Sequence, residues 1–296
     1  MNLFIIQGGF ELGCIFTILS LGLFISFKIL NIPDLTVDGS FTLGAASCAM
    51  LTVAGHPFLA LIVALLCGGL AGAVTGFLQT KLKVQTILAG ILTMTGLYSI
   101  NLRIMDKKPT VSLFGFDTIF TPFQSLGSIN KTIVLLLLVL LILLLLVLFL
   151  KTQLGLALRA TGDNEVMVRA SSINTDRMKI LGLALANALV ALSGAVFAQH
   201  QSFADLSSGI GMMVIGLASI IIGESLIHRK SLLVRLISVA VGAILYRYIL
   251  TAALQFGIEA SDLKLLSAIL VTIAISIPSI QATLTLRRRK GGRNHA

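Results

Sequence analysis

Asp34 and Asp38 are separated by three residues, a pair that could hold Mg²⁺ on a diphosphate. Enzymes that work this way usually need a second acidic cluster, and the sequence has none. No Gly-x-x-x-x-Gly-Lys-Ser/Thr run occurs, so this chain cannot cradle ATP phosphates in a P-loop. Cys14, Cys48 and Cys67 fall in apolar segments at unrelated spacings and read as small buried hydrophobes. His56, His200, His228 and His295 form no ligand spacing, so no metal is expected. No Ser/His/Asp or Cys/His set converges by spacing, and no catalytic residue is assigned. Two features remain: a polar segment at 155–177 and a few charges placed among apolar residues, Asp34, Asp38 and Glu224.

Both features are set in a chain built for lipid. The apolar fraction is 56% and the charged fraction 11%, with a mean hydropathy of +1.01. That much apolar surface exceeds what a soluble core can use, which predicts a polytopic helix bundle. A length of 296 residues leaves room for about eight to ten spans of roughly 20 residues each. The N-terminus lacks the basic start of a cleavable signal peptide, so its first apolar stretch is expected to be retained. The net charge of +10 is not read as nucleic-acid binding, because it is segregated. Lys81, Lys83, Lys151, Arg159, Arg169, Arg177, Lys179, Arg229, Lys230 and the tail Arg287-Arg288-Arg289-Lys290 mark one side, the cytoplasmic side by the positive-inside rule. The basic tail, 287–296, is expected against anionic lipid headgroups.

Nine spans are expected, at 9–30, 40–54, 58–78, 84–104, 133–150, 178–198, 209–227, 232–252 and 263–280, with the N-terminus outside. Pro33 and Gly39 interrupt the chain before the second, which is short unless the preceding loop dips into the bilayer. The third carries Gly68, Gly72 and Gly76, a small-xxx-small pattern that allows close helix approach. The external run 105–130, with Phe114, Phe116, Phe120 and Phe123, suits an interfacial hairpin or short helix, as a partner-docking surface or as a lid. The fifth span, almost all Leu, Ile and Val, is expected at the lipid-facing periphery. The sixth, rich in Gly and Ala with Asn187 mid-span, belongs inside the bundle.

Within 155–177, Asp163 or Asn164 can cap a short helix, Glu165 suits its first turn, and Arg169 follows. Val166, Met167 and Ala170 give it a modest apolar face; a solvated linker is the plainer alternative. Gly155, Ala157-Leu158-Arg159-Ala160, Gly162, Asn164, Ala170 and Ile173-Asn174 resemble the cytoplasmic coupling segment of ATP-binding-cassette permeases, in the group of branched-chain amino acid and ribose importers. Asp38-Gly-Ser-Phe-Thr-Leu-Gly-Ala45 is similar to that family's second-helix motif, and 215–226 resembles the glycine-bearing segment after the coupling region. The family commonly has glycine where Glu224, His228 and Arg229 stand here. Within the family, the permeases described for tryptophan or tyrosine uptake fit best.

The resemblance implies a single all-α permease domain over 1–296, in a bacterial inner membrane, with a cytoplasmic coupling helix. Gly162 and Asp163 would start that helix and Arg159 would brace the loop beside it. Arg159, Gly162, Asp163, Asn164, Glu165, Met167 and Arg169 would form the docking segment. ATP and Mg²⁺ would be bound by separate cytoplasmic ATPase subunits, and this chain would hold no cofactor. An extracytoplasmic binding protein would deliver a small solute, an amino acid first, and a second permease copy would complete the path, a homodimer being preferred to a sister chain. Asp34, Asp38, Phe41, Thr93, Tyr98 and Asn187 are the candidate path residues. Helix-to-helix hydrogen bonding explains Thr93, Thr95, Tyr98 and Asn187 nearly as well, and an interfacial position explains the acids. An ion-coupled secondary transporter is the other reading, and it would want more deep charges.

Overall fold

Long apolar runs leave backbone groups no partner but one another, so the segments between turns fold as helices. The computed structural model describes residues 3–123, 129–227, 231–257, 259, 262–263, 265–272 and 276. Helix α1 (Leu3–Phe24) continues into a π-helical turn (Ile25–Ile29) and is followed by α2 (Thr36–Val53), α3 (Pro57–Thr80), α4 (Thr86–Ile104) and strand β1 (Thr110–Ser112). Then come α5 (Asn130–Lys151), α6 (Gln153–Asp163), α7 (Glu165–Ala170), α8 (Thr175–Gln201), strand β2 (Phe203–Asp205), α9 (Met212–Leu226) and α10 (Leu232–Gln255). Among the described residues six helices are long and apolar enough to cross a membrane: Ile5–Ile29, α3, α4, α5, α8 and α10. Parts of the expected ninth span and of the 105–130 loop lie outside the described residues, as do His228, Arg229 and the whole basic tail.

Helix α8 is the hub, packing on α1, α2 and α3. Its apolar window is 72% buried, against 33% for α5, as the small residues of one and the bulky residues of the other predict. On α5 a stripe of Leu135, Val139, Ile142, Leu146 and Leu150 is buried while Leu137, Leu140, Leu141, Leu144 and Leu148 face outward. The glycine stripe of α3 lies on α8. A Cβ at Gly68 would run into the Asn187 carbonyl oxygen, and one at Gly72 into that of Leu183. Helix α1 is buried over 83% of its window, a central position the sequence reading did not single out.

Helices α2 and α9 are short because each begins inside the bundle. After the π-helical turn the chain is non-helical through Leu35, with Asn31 at φ 57°. Asp34 then meets Asn187, which by helical rise lies about 18 Å along α8 from Thr175, near the helix's middle. From there α2 runs outward beside α8, and Cys48 meets Gln199 near the outer end. The loop before α2 thus enters the bilayer region, as the short second span required. Helix α9 starts near the first turn of α2 and runs inward, where Glu224 pairs with Lys28 at 2.6 Å and Arg235 at 3.3 Å. That ion pairing matches the inner-boundary reading of Glu224.

The sequence offered a local hairpin or short helix at 105–130. A short helical turn does form at 121–123, but in place of a local hairpin β1 pairs antiparallel with β2 from the α8–α9 connection, in the register Thr110↔Asp205, Val111↔Ala204 and Ser112↔Phe203. Both strands touch α2, which brings two remote connections into hydrogen-bonding range. Phe114 is fully outward, whereas Phe120 is buried beside His200.

Candidate functional site: coupling segment and outer cavity

The coupling segment is two helices at an angle. Thr152 caps α6, its Oγ1 accepting from Gly155 N, and Gly155, Leu158 and Thr161 face inward. Gly162 and Asp163 do not start the second helix as expected; they close α6, and Gly162 seats against the Ile29 carbonyl. The break falls at Asn164, whose extended backbone (φ −155°, ψ 95°) turns the chain and whose Oδ1 accepts from Met167 N at 3.0 Å. Helix α7 buries Val168 and turns Val166 (80% exposed) and Met167 (69%) outward.

Glu165 fixes α7 to the base of α8. Its carboxylate accepts from Lys179 Nζ at 2.7 Å, Arg169 Nη2 at 2.9 Å and Thr175 Oγ1 at 3.3 Å. Arg169 also donates to Thr175 Oγ1. Arg159, expected to brace this region, makes no ion pair or hydrogen bond among the described residues; Glu165 supplies the brace instead.

The hydrogen bond from Lys179 leads the effects that hold the Glu165 carboxyl below the ordinary glutamate range, with Thr175 and Arg169 adding to it against partial desolvation. A depressed folded-state value means the anchor's contribution is complete above the ordinary glutamate value and fades as pH falls through the folded one. Hydrogen exchange of the α7 amides should therefore be pH-insensitive in its protection from neutrality to about pH 5 and lose protection below about pH 4. Protection that falls between pH 8 and 6 would assign the anchor to another group.

The candidate path residues divide into three sets. Asp34 and Asn187 form one pair, fully buried, with Asn187 Nδ2 donating to Asp34 Oδ2 at 2.6 Å and Thr36 N donating to Asp34 Oδ1 at 2.9 Å. This mid-bundle position favours the path reading over the inner-boundary alternative for Asp34. Asp38 joins the two broken helices: Gly211 N and Met213 N, at the start of α9, each donate to its carboxylate at 2.9 Å. The carboxylate thereby sits at the positive end of the α9 dipole. Asp38 and Tyr98 line a cavity of about 390 Å³ between α2, α4 and the strand connections, together with Asn101, Met94, Asp205 and Ile210. Phe41 and Thr93 stand apart from that cavity. Phe41 is buried with its ring 5.6 Å from that of Phe197, and Thr93 donates to the Ala89 carbonyl.

Sequence reasoning passed over Asn101 and Gln199. Asn101 lies three residues after Tyr98 on the same helix face, a spacing that could have raised it. Gln199 donates to Cys48 Sγ, Thr52 Oγ1 and the Pro57 carbonyl and accepts from Ile119 N. Nothing local marks it, because its partners come from three separate stretches: α2, the start of α3 and the connection before α5.

Comparison with known proteins gives the family. A family profile described as branched-chain amino acid transport system / permease component matches residues 5–276. A tyrosine transport system permease protein of Clostridioides difficile is 41% identical over 91% of this chain and 90% of its own length. A ribose import permease protein of Haemophilus influenzae is 26% identical over 82% of this chain and 75% of its own. No solved structure matches the chain. With six membrane-length helices among the described residues, a polar segment between two of them and a profile match over most of its length, the chain belongs to the ATP-binding-cassette permease family of the branched-chain amino acid type, as a multi-pass inner-membrane protein.

Proposed function

We propose that the chain forms the translocation path of an importer for an aromatic amino acid, tyrosine first. The exposed face of α7, tied by Glu165 to α8, carries the reading, because it offers a cytoplasmic ATPase an apolar contact with a rigid link into the bundle. The tyrosine relative's high identity over nearly the whole chain supports the solute class. ATP and Mg²⁺ belong to the partner ATPase, and a binding protein delivers the solute to the outer face. Two copies of this chain enclose the path, and the solute passes chemically unchanged.

Met167→Asp puts a charge into the proposed apolar contact and leaves Asn164, Glu165 and Lys179 in place. Losing the desolvation of such an anchor is worth about 2 kcal/mol or more, so the variant should retain at most a few per cent of the ATPase that wild type carries through purification in mild detergent. Its tyrosine uptake should fall in step. Retention of the ATPase at wild-type levels would move the docking site elsewhere. A wild type that brings down no co-expressed ATPase would put an ion-coupled transporter in the importer's place.

A further inference from the structure

The outer cavity has one buried acceptor without a matching donor. Asn101 is 1% exposed, and its Nδ2 donates to the Gly39 carbonyl at 3.3 Å. That bond sets the orientation of the carboxamide and leaves Oδ1 buried with no hydrogen-bond partner. Leaving such an acceptor unsatisfied is costly, so it wants a donor from something that enters the cavity. Two carboxylates share the lining. Asp38 is held by the first N–H groups of α9, and Asp205 accepts from Thr110 Oγ1 and from the backbone and hydroxyl of Ser207. Among the described residues no Lys, Arg or His lines the cavity, and Met94, Tyr98 and Ile210 supply apolar wall.

Resting on the importer reading, we infer that this cavity is a transit subsite that holds the solute by its ammonium group, with Asn101 Oδ1 as the acceptor and Asp38 and Asp205 as the attracting charges. An ammonium brings three donors and a positive charge into a space lined by Asn101 Oδ1 and two carboxylates, with the hydroxyls of Thr42, Tyr98 and Ser207 and no cationic side chain among the described residues. A carboxylate would meet like charge there, so the solute's own carboxylate points away. The apolar wall beside Tyr98 receives the side chain, and about 390 Å³ is within the usual range for a small-molecule site.

The test does not require the ATPase. In a Cys67→Ala background, Ile210→Cys places a thiol on the cavity wall, the other two native cysteines being buried. Its labelling by a cationic methanethiosulfonate is followed with increasing tyramine, which has the ammonium and lacks the carboxylate. The same titration is run with 3-(4-hydroxyphenyl)propionate, which has the carboxylate and lacks the ammonium. Tyramine should protect and the propionate should not. Asn101→Ala should raise the tyramine concentration for half-protection roughly tenfold or more, while Asn101→Asp, which adds a negative charge, should lower it. Equal protection by both compounds, or by neither, overturns the subsite; the latter result would leave Asn101 satisfied by water. An unchanged half-protection in Asn101→Ala overturns it as well. ATPase co-purification with the same wild-type chain reports on the importer reading separately, so the two can fail independently.

Discussion

Asn187→Leu should destabilise the protein by about 3 kcal/mol, because it leaves a carboxylate in the middle of the bundle with half its donors. Asp34 is buried beside α8, one oxygen served by Thr36 N and the other by Asn187 Nδ2 at 2.6 Å. Leucine fills the space of the carboxamide and donates nothing, and there is no bulk solvent at that depth to substitute. In detergent the unfolding midpoint should fall on the order of 6–12 °C, at roughly 2–4 °C per kcal/mol for chains of about this size or slightly smaller. Adding Asp34→Asn removes the charge yet keeps an oxygen for Thr36 N, so the double variant should regain about half the loss. A double variant no more stable than Asn187→Leu would show that something other than the Asp34 charge depends on Asn187.

Gly72→Leu should prevent normal accumulation of folded protein. The Gly68–Gly72–Gly76 stripe brings the α3 backbone onto α8 so closely that even a methyl at Gly72 meets the Leu183 carbonyl oxygen and Cα of Ala184. A leucine must push the helices apart along the seam between α3 and the hub, for about 3 kcal/mol of overpacking and lost contact. Gly69 is the control. It directly follows Gly68 of the stripe, yet a Cβ there lies an ordinary 3.7 Å from Ala188 Cβ. Gly69→Ala should be neutral or slightly stabilising, by up to about 1 kcal/mol of helix propensity. Size-exclusion profiles of the two fluorescently tagged variants decide it: similar monodisperse yields would mean that the stripe tolerates bulk.

Much of this architecture was legible because lipid imposes simple rules on composition. The leucine run of α5 had nothing with which to pack closely, and the glycines and alanines of α8 had nothing to gain from lipid. Each helix took the place its side chains dictated. The position of the cap was less legible, since Asp163 and Asn164 are both good capping residues; the seat of Gly162 against Ile29 extends α6 through Asp163 and leaves the turn to Asn164. The β1–β2 ladder could not be read locally, as its partners are separated by four helices in sequence and meet only because both flank α2. The outer cavity was half visible. Asp38 and Tyr98 stood out as polar groups in apolar runs, but Asn101 matters for an oxygen left over after Gly39 takes its nitrogen, and only the fold shows that.

The unbroken length of α8 has a mechanical consequence. It runs for 27 residues, about 40 Å, and no proline interrupts it. At one end Glu165 clamps α7 to its first turn. At the other its last residues lead almost directly into β2, one wall of the outer cavity. A stiff rod gripped at its base does not absorb a push by bending, so under the proposed importer function a tilt imposed at α7 would reach the far mouth as a displacement of similar size. The two ends of α8 are thus joined by one continuous helix, held at its base by Glu165 and leading into β2 through the single residue Ser202, which adopts φ 61°.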